Sequence, residues 1–238
     1  MKAVILAGGL GTRLRPFTEL IPKPLLPVGP SSVLDIQIQR LARAGFREIF
    51  IATNYLSEHV EKHVGDGRQY GVTVRVSRER EPLGTCGPVT LLRKQLDDAY
   101  LLMNGDVLTT LDLRKPYDFS RSLDADLTVV TKRIVTPFAF GQVLGEGSYV
   151  DGVQEKPDLR FEILAGIYVL TPALFDVIPS QRYYGIDQLI KDLLRAGRRV
   201  GKFVCRDFWL DIGQMEDYAR AQEAYRAHFS DAKDQIRG

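Results

Sequence analysis

The amino-acid sequence predicts an α/β fold, a parallel sheet with helices on both faces. Three observations carry this expectation. Short apolar runs alternate with segments of helical periodicity through the first hundred residues. The first run, Lys2-Ala-Val-Ile-Leu6, leads directly into Gly8, Gly9 and Gly11, and such sheets hold their ligands beyond the carboxyl ends of the strands. The second half then changes texture, to closely spaced strands joined by tight turns that would extend the sheet and build a lid.

The elements follow in order. A buried strand is expected at 2–6. A helix is expected over 32–44, because Leu34, Ile38 and Leu41 recur at helical spacing, Ser32 is an N-cap residue and Gly45 a stop signal. Strands at 48–53, 72–77 and 100–103 alternate with helices at 57–64 and 87–96. Beyond that, 127–131, 140–144, 149–154 and 161–170 read as strands, with Gly145-Glu146-Gly147 as a hairpin loop. Helices at 172–177 and 186–195 precede a strand at 200–205. A last helix at 215–229 carries Tyr218, Tyr225 and Phe229 at spacings suited to docking on the body. The polar tail after Ser230 is expected to fray.

Bulk properties set bounds. In 238 residues, 45% are apolar, enough for a sizeable core. Lys and Arg number 32 against 30 Asp and Glu, so no basic stripe points to nucleic acid or a membrane surface. The cluster from Arg195 to Arg199 reads as a helix end and turn. Only five residues separate Lys2 from Gly8, too few for a signal-peptide core, and no apolar run has the length of a membrane span. Cys86 and Cys205 are far apart, without metal-ligand spacing, which fits a reducing cytoplasm. No repeat is visible, including a hexapeptide β-helix pattern at the C-terminus. A single domain over 1–238 is expected.

The glycine loop has a physical meaning of its own. Glycines let backbone N–H groups approach an anion closely, and Arg13 and Lys23 add fixed positive charge. This is chemistry for holding a polyphosphate. A Walker loop is absent, since no Gly-x-x-x-x-Gly-Lys-Ser/Thr string occurs. A dinucleotide site is also disfavoured. Leu14 stands where the third glycine of Gly-x-Gly-x-x-Gly belongs, and the acidic residue expected about twenty positions later has only Asp35 as a nearby candidate.

The longer string Gly8-Gly-Leu-Gly-Thr-Arg-Leu14, with Pro16 and Pro22-Lys-Pro-Leu25, resembles the signature of the sugar-1-phosphate nucleotidyltransferases. Further segments resemble that family in order. They are Glu81-Pro-Leu-Gly-Thr-Cys-Gly87, Asn104-Gly-Asp106, Glu155-Lys-Pro157, Ala165-Gly-Ile-Tyr168 and Trp209-Leu-Asp-Ile-Gly213. The resemblance covers about residues 1–220. It implies a Rossmann-like three-layer sandwich with a mainly parallel mixed sheet, of the nucleotide-diphospho-sugar transferase type. About 1–110 would form a nucleotide-binding half. About 111–230 would form a sugar-phosphate-binding half and the C-terminal helix.

The implied reaction is in-line attack by a sugar 1-phosphate oxygen on the α-phosphorus of a nucleoside triphosphate, with loss of pyrophosphate. The nucleophile is already anionic, so positioning and charge compensation dominate. The resemblance assigns catalysis to Arg13, Lys23 and Asp106. Nucleotide binding falls to Leu6, Ala7, Gly8, Gly9, Gly11, Thr12, Arg13, Lys23, Glu79, Glu81, Gly84, Thr85 and Asp106. Sugar-phosphate binding falls to Asn104, Gly141, Glu155, Lys156, Gly166 and Tyr168. Magnesium is the implied cofactor, held by Asp106 and Asp211. Taken alone, each aspartate is equally a turn residue capping backbone N–H groups. Glu155-Lys156 alone reads as a surface ion pair, Gly166 as a bulge or packing glycine, and Tyr168 as core or pocket wall.

The base is set by less. Guanine offers N1–H and N2–H₂ donors that Glu79 or Glu81 can accept, and Glu-Pro-Leu-Gly-Thr-x-Gly is similar to guanylyltransferases for mannose and heptose 1-phosphates. Cytidylyl, uridylyl, adenylyl and thymidylyl transfer stay open, as does a cyclitol 1-phosphate acceptor. So does a non-catalytic sensor that binds nucleotide-sugar. Relatives are commonly homodimers or homotetramers, and no interface signature stands out. Cys86 reads as a packing residue with a thiol near the base. His59 and His63 read as a solvated helix face rather than metal ligands, Asp124 and Asp126 as a turn, and Tyr183-Tyr184 as sugar or subunit contacts.

Overall fold

The computed structural model describes residues 1–230, so the tail expected to fray lies outside the described residues. Strands β1 (Lys2–Leu6), β2 (Glu48–Thr53), β3 (Thr73–Arg78) and β4 (Tyr100–Asn104) run parallel to one another. After the short β5 (Val107–Thr109) come the long β6 (Leu127–Pro137), the hairpin β7 (Gln142–Leu144) and β8 (Gly152–Gln154), and the long β9 (Asp158–Leu170). β10 (Val200–Cys205) and β11 (Trp209–Asp211) follow, and a two-residue pair, Pro27–Val28 with Ser31–Ser32, lies apart from the main sheet. The main sheet has seven strands in the order β3-β2-β1-β4-β9-β6-β10. β9 is antiparallel to both its neighbours, while β10 is parallel to β6. The sheet is therefore mixed and mainly parallel, as expected.

Helices α1 (Val33–Arg43), α2 (Ser57–Val64), α3 (Arg114–Arg121), α4 (Ile186–Arg195) and α5 (Met215–His228) surround it. β1 explains its own apolar sequence. Ala3 and Ile5 face a core containing Leu34, Ile38 and Leu41 of α1, while Val4 faces a second core with Leu189 and Leu193 of α4. A strand covered on both faces has no polar side to alternate with. A third core joins Ala221 and Tyr225 of α5 to Leu14, Leu26 and Val28 behind the glycine loop. Tyr218 of α5 donates to the carbonyl of Pro27 at 2.7 Å. The docking role expected for the final helix is thus met.

Ser32 caps α1 as expected. Its hydroxyl accepts from the Asp35 N–H at 3.0 Å, and Asp35 accepts from the Ser32 N–H at 2.8 Å, closing a capping box. Several boundaries differ from expectation. The helices expected at 87–96 and 172–177 are 3₁₀ turns, Gly87–Leu92 and Pro172–Asp176. Each has Pro in its first turn, and Thr90 donates its hydroxyl to the Gly87 carbonyl at 2.7 Å. α3 is not among the expected helices; its Pro116 stands in the first turn, where the missing N–H costs little. β6 runs past 131 and β9 starts before 161, where charged residues on one face interrupt the apolar pattern. The β7–β8 hairpin is shorter than expected. β5 and β11, at three residues each, are too brief to leave a periodic signal. Arg198 pairs with Asp126, and Arg199 donates to Asp124 at 2.5 Å, as a helix end and turn.

Candidate functional site

Leu6 at the end of β1 lies opposite Asn104 at the end of β4. Two adjoining cavities open at these strand ends. The first, of about 230 Å³, is lined by Leu6, Ala7, Gly9, Gly11, Thr12 and Arg13 of the loop and by Lys23, Pro24, Gly105, Asp106 and Gly213 around it. Arg13 sits on a single 3₁₀ turn, Thr12–Leu14, anchored by the buried Leu14. Gly105 is what brings the two chain segments together. Its N–H donates to the Leu6 carbonyl at 2.9 Å, and a Cβ on it would lie 2.5 Å from that oxygen. No larger residue fits there without moving backbone.

Lys23 forms an ion pair with Asp106 through Oδ2. The other oxygen, Oδ1, is buried with no hydrogen-bond partner among the described residues. Asp211 arrives from β11, which pairs antiparallel with β5 and sets Asp211 opposite Val107. The Ile212 N–H donates to the Asp106 carbonyl at 3.0 Å, and the Trp209 indole N–H donates to the Ala165 carbonyl at 2.8 Å. Burial, and then the negative charge of Asp106, push the Asp211 carboxyl up to about 6, with Lys23 opposing. A Cβ on Gly213 would lie 3.4 Å from Asp211 Oδ2 and 3.7 Å from an Arg13 guanidinium nitrogen. Loop cation and two carboxylates therefore share one small space.

The second cavity, of about 270 Å³, shares Leu6, Gly9, Gly105 and Asp106 with the first and adds Gly8, Glu79, Gly84, Thr85, Asn104 and Tyr183. Glu79 accepts the Leu83 N–H through Oε2 at 2.9 Å. Its Oε1 would lie 3.0 Å from a Cβ on Gly8, so it is turned toward the loop. Burial raises this carboxyl above its ordinary range. Glu81 stands apart. It is exposed and lines a separate cavity of about 460 Å³ with Arg78 and Arg80. Cys86 is buried, and its thiol is pushed up to about 12 by burial. It packs and is not a reactive group.

The residues expected around the sugar separate into two sets. Gly166 lies beside Asn104. It has φ +68°, at the register shift in β9, and a Cβ on it would lie 2.8 Å from Asn104 Nδ2. Tyr168 is buried in the α4-side core. Gly141, Glu155 and Lys156 are exposed at the far end of the β6–β9 arm and line neither strand-end cavity. Gly141 and Glu155 are close, with a Cβ on the glycine 3.3 Å from Glu155 Oε2. Lys156 has φ 45°, a left-handed conformation that costs a non-glycine residue about 1–3 kcal/mol.

Asp35 is fully occupied in structure. Besides capping α1 it accepts from Tyr70 at 2.5 Å and contacts His63 Nε2 at 2.9 Å, so it is not the ribose acid of a dinucleotide fold. His63 is thereby tied to α1 rather than freely solvated. Sequence reasoning gave no role to Pro24, Gly105 or Gly213, yet all three line the first cavity. The signal was present for two of them, each a glycine one or two positions from a carboxylate. Among the described residues no three His, Cys, Asp or Glu side chains gather as a metal cage, and no helix is long and apolar enough to cross a membrane.

The chain matches the family model described as nucleotidyl transferase over residues 2–228. It is 34% identical over 229 residues to a mannose-1-phosphate guanyltransferase of Neurospora crassa, covering 92% of this chain and 62% of that one. It is 32% identical over 226 residues to the mannose-1-phosphate guanylyltransferase catalytic subunit beta of Xenopus tropicalis, again with 92% and 62% covered. The chain thus spans less than two thirds of the length of these curated relatives. Among solved structures, HddC from Yersinia pseudotuberculosis complexed with GMP-PN superposes with a TM-score of 0.72 at 26% identity, covering 94% of this chain and 99% of that one.

Proposed function

The chain belongs to the nucleotidyl transferase family, and from that premise we propose that it joins GTP to a mannose- or heptose-like sugar 1-phosphate, releasing pyrophosphate. One observation carries the reading. Two cavities meet at Asp106, one walled by the glycine loop with Arg13 and Lys23, the other by Glu79, Gly84 and Asn104. The first suits a triphosphate and the second a nucleoside with the reacting sugar phosphate at their junction.

The roles follow from charge. Arg13 and Lys23 offset the repulsion between two polyanions, and the loop N–H groups orient the triphosphate. The sugar phosphate needs no general base, because its attacking oxygen is already ionised. Glu79 Oε1 is free to accept guanine N1–H and N2–H₂, while its partner oxygen is fixed by Leu83. Mannose-1-phosphate guanyltransferase relatives and the GMP-PN bound to HddC support that base choice. Glu81 contributes from the outer wall. Asn104 and Gly166 face the sugar directly, Tyr168 supports them from the core, and Gly141, Glu155 and Lys156 reach it from the arm. Residues 1–110 and 111–230 would act as nucleotide and sugar-phosphate halves of one domain.

The residues fit magnesium. Asp106 Oδ1 is a buried acceptor without a partner among the described residues, and Asp211 is a desolvated carboxyl beside it. Asp106 and Asp211 would hold the ion, which uses one or two carboxylates together with phosphate oxygens. Its contribution when bound is to offset charge on those oxygens. A cytoplasmic setting accords with two unpaired, buried cysteines.

The test is a matrix of five nucleoside triphosphates against sugar and cyclitol 1-phosphates, with magnesium, read by pyrophosphate release. GTP with mannose or heptose 1-phosphate should give the highest kcat/KM. A higher value for another base would overturn the assignment of Glu79, and no release from any pair would overturn the reaction.

A further inference from the structure

The buried face of α1 carries one polar interruption. Leu34, Ile38 and Leu41 belong to the core beneath β1, and Gln37, on the same side of the helix, is only 2% exposed. A buried amide brings two donors and an acceptor oxygen that the interior must satisfy. The Gln37 side-chain NH₂ donates to the Asn104 carbonyl at 2.9 Å and to the Val107 carbonyl at 2.8 Å. Its Oε1 is buried with no hydrogen-bond partner among the described residues. The opposite rotation of the amide would set Oε1 against two carbonyl oxygens, so the orientation follows from the bonds.

Asn104 and Val107 bracket Gly105-Asp106, and each residue of that turn is held through its main chain. Gln37 takes the carbonyls at both ends. The Gly105 N–H donates to the Leu6 carbonyl at 2.9 Å, and the Asp106 carbonyl accepts the Ile212 N–H at 3.0 Å. Among the described residues, Gln37 is the one side chain that bonds to the main chain of 104–107. Its helix also holds the cation opposite Asp106. The Val33 N–H at the start of α1 donates to the carbonyl of Leu26 at 3.3 Å, just beyond Lys23. An orphaned buried acceptor such as Oε1 costs stability. What Gln37 returns for that cost falls on the turn that carries Asp106.

We propose that Gln37 is a positioning residue, which fixes the Asp106 carboxylate for a divalent cation without touching cation or substrate. This rests on the reading of Asp106 as a carboxylate that holds the metal. Such a carboxylate must be kept within about 0.5 Å of its working position. Removing the hydrogen bonds behind a metal ligand weakens metal affinity or activity about 10–100-fold. A Gln37 that only filled the core would behave differently, lowering Tm and leaving metal affinity alone.

Titration of the full chain with Mn²⁺ alone, with free Mn²⁺ counted by electron paramagnetic resonance, tests it. The wild type should bind Mn²⁺ at a site that Asp106→Asn removes. Gln37→Met, similar in length but without donors, should weaken that binding at least about tenfold. Ile38→Val trims the same helix in the same core, so it should lower Tm and leave Mn²⁺ binding within about twofold. In turnover, Gln37→Met should raise the Mg²⁺ needed for half-maximal pyrophosphate release by about tenfold and leave the KM for the sugar phosphate within about twofold. Should Gln37→Met fail to fold, Gln37→Asn keeps an amide one methylene short of the two carbonyls and should still weaken Mn²⁺ binding about threefold or more. Unchanged Mn²⁺ binding in the variant that folds would overturn the proposal. So would a wild type that binds no Mn²⁺, or a site that survives Asp106→Asn. If Mn²⁺ binding weakens as expected but no pair of substrates releases pyrophosphate, the proposed reaction fails and the role of Gln37 stands.

Discussion

The strand-end cavities and the β6–β9 arm are built by opposite means. The cavities are made of backbone held by buried neighbours. Gly105 rests on the Leu6 carbonyl, Asp211 is hung from a three-residue strand against β5, and α5 packs behind the glycine loop. Their geometry is over-determined before any ligand arrives. The arm is a ribbon whose outer residues touch little, with Gly141, Glu155 and Lys156 exposed at its end. Rigid placement suits phosphoryl chemistry, in which positioning and charge do most of the work. An arm of low packing density suits recognition of the smaller substrate.

The largest effect that should separate the two regions is at Asp106. Asp106→Asn removes a charge from the junction of both cavities and leaves Lys23 without its ion pair. Several kcal/mol of transition-state stabilisation are at stake, so kcat for pyrophosphate release should fall about 10³-fold. A loss under tenfold would mean that the carboxylates are structural.

The glycines give a matched pair. A methyl on Gly105 meets a backbone carbonyl at 2.5 Å, whereas one on Gly141 meets the free end of a glutamate at 3.3 Å. Gly105→Ala should therefore destabilise by about 2 kcal/mol, or about 4–8 °C in Tm for a chain of this length. Gly141→Ala should change Tm by no more than about 1 °C. Equal shifts would erase the contrast between rigid cavity and compliant arm.

A smaller effect depends on pH. The folded Asp211 carboxyl is raised to about 6 from an ordinary 3.8. Between those values the folded state binds more protons than the unfolded one, so metal-free stability falls as pH rises through that window. Above it the ionised carboxylate costs about 1 kcal/mol, after discounting for partial exposure. In EDTA, Asp211→Asn should thus raise Tm by about 2–4 °C at pH 8 and by nothing near pH 3. A gain that does not vary with pH would assign the effect to packing.

The same contrast explains what was legible in the sequence. The cavity side was legible because its strands are buried on both faces and its loops carry glycines at forced positions. β1 and β2 therefore begin and end where their apolar runs do, and α1 does so between Ser32 and Gly45. Around the site, Arg13, Lys23, Asp106 and Asp211 lie close together. Glu79 and Glu81 were equivalent as letters, because two residues along an irregular segment leave sidedness open. The Leu83 N–H on Glu79 and the different cavities the two line separate them. On the arm the periodic signal fails. Charged residues on the ribbon's satisfied face interrupt the apolar pattern, so β6 and β9 read as short, and their exposed apolar side chains read as ordinary strand residues.

The division itself is tested most directly by crossed Michaelis constants for pyrophosphate release from GTP and mannose 1-phosphate. Arg13→Ala should raise the KM for GTP about 10-fold or more and leave that for the sugar phosphate within about twofold. Lys156→Ala should do the reverse, to a similar extent. If both substitutions raised the same KM, cavity and arm would serve one substrate, and the account of two differently built subsites would be contradicted.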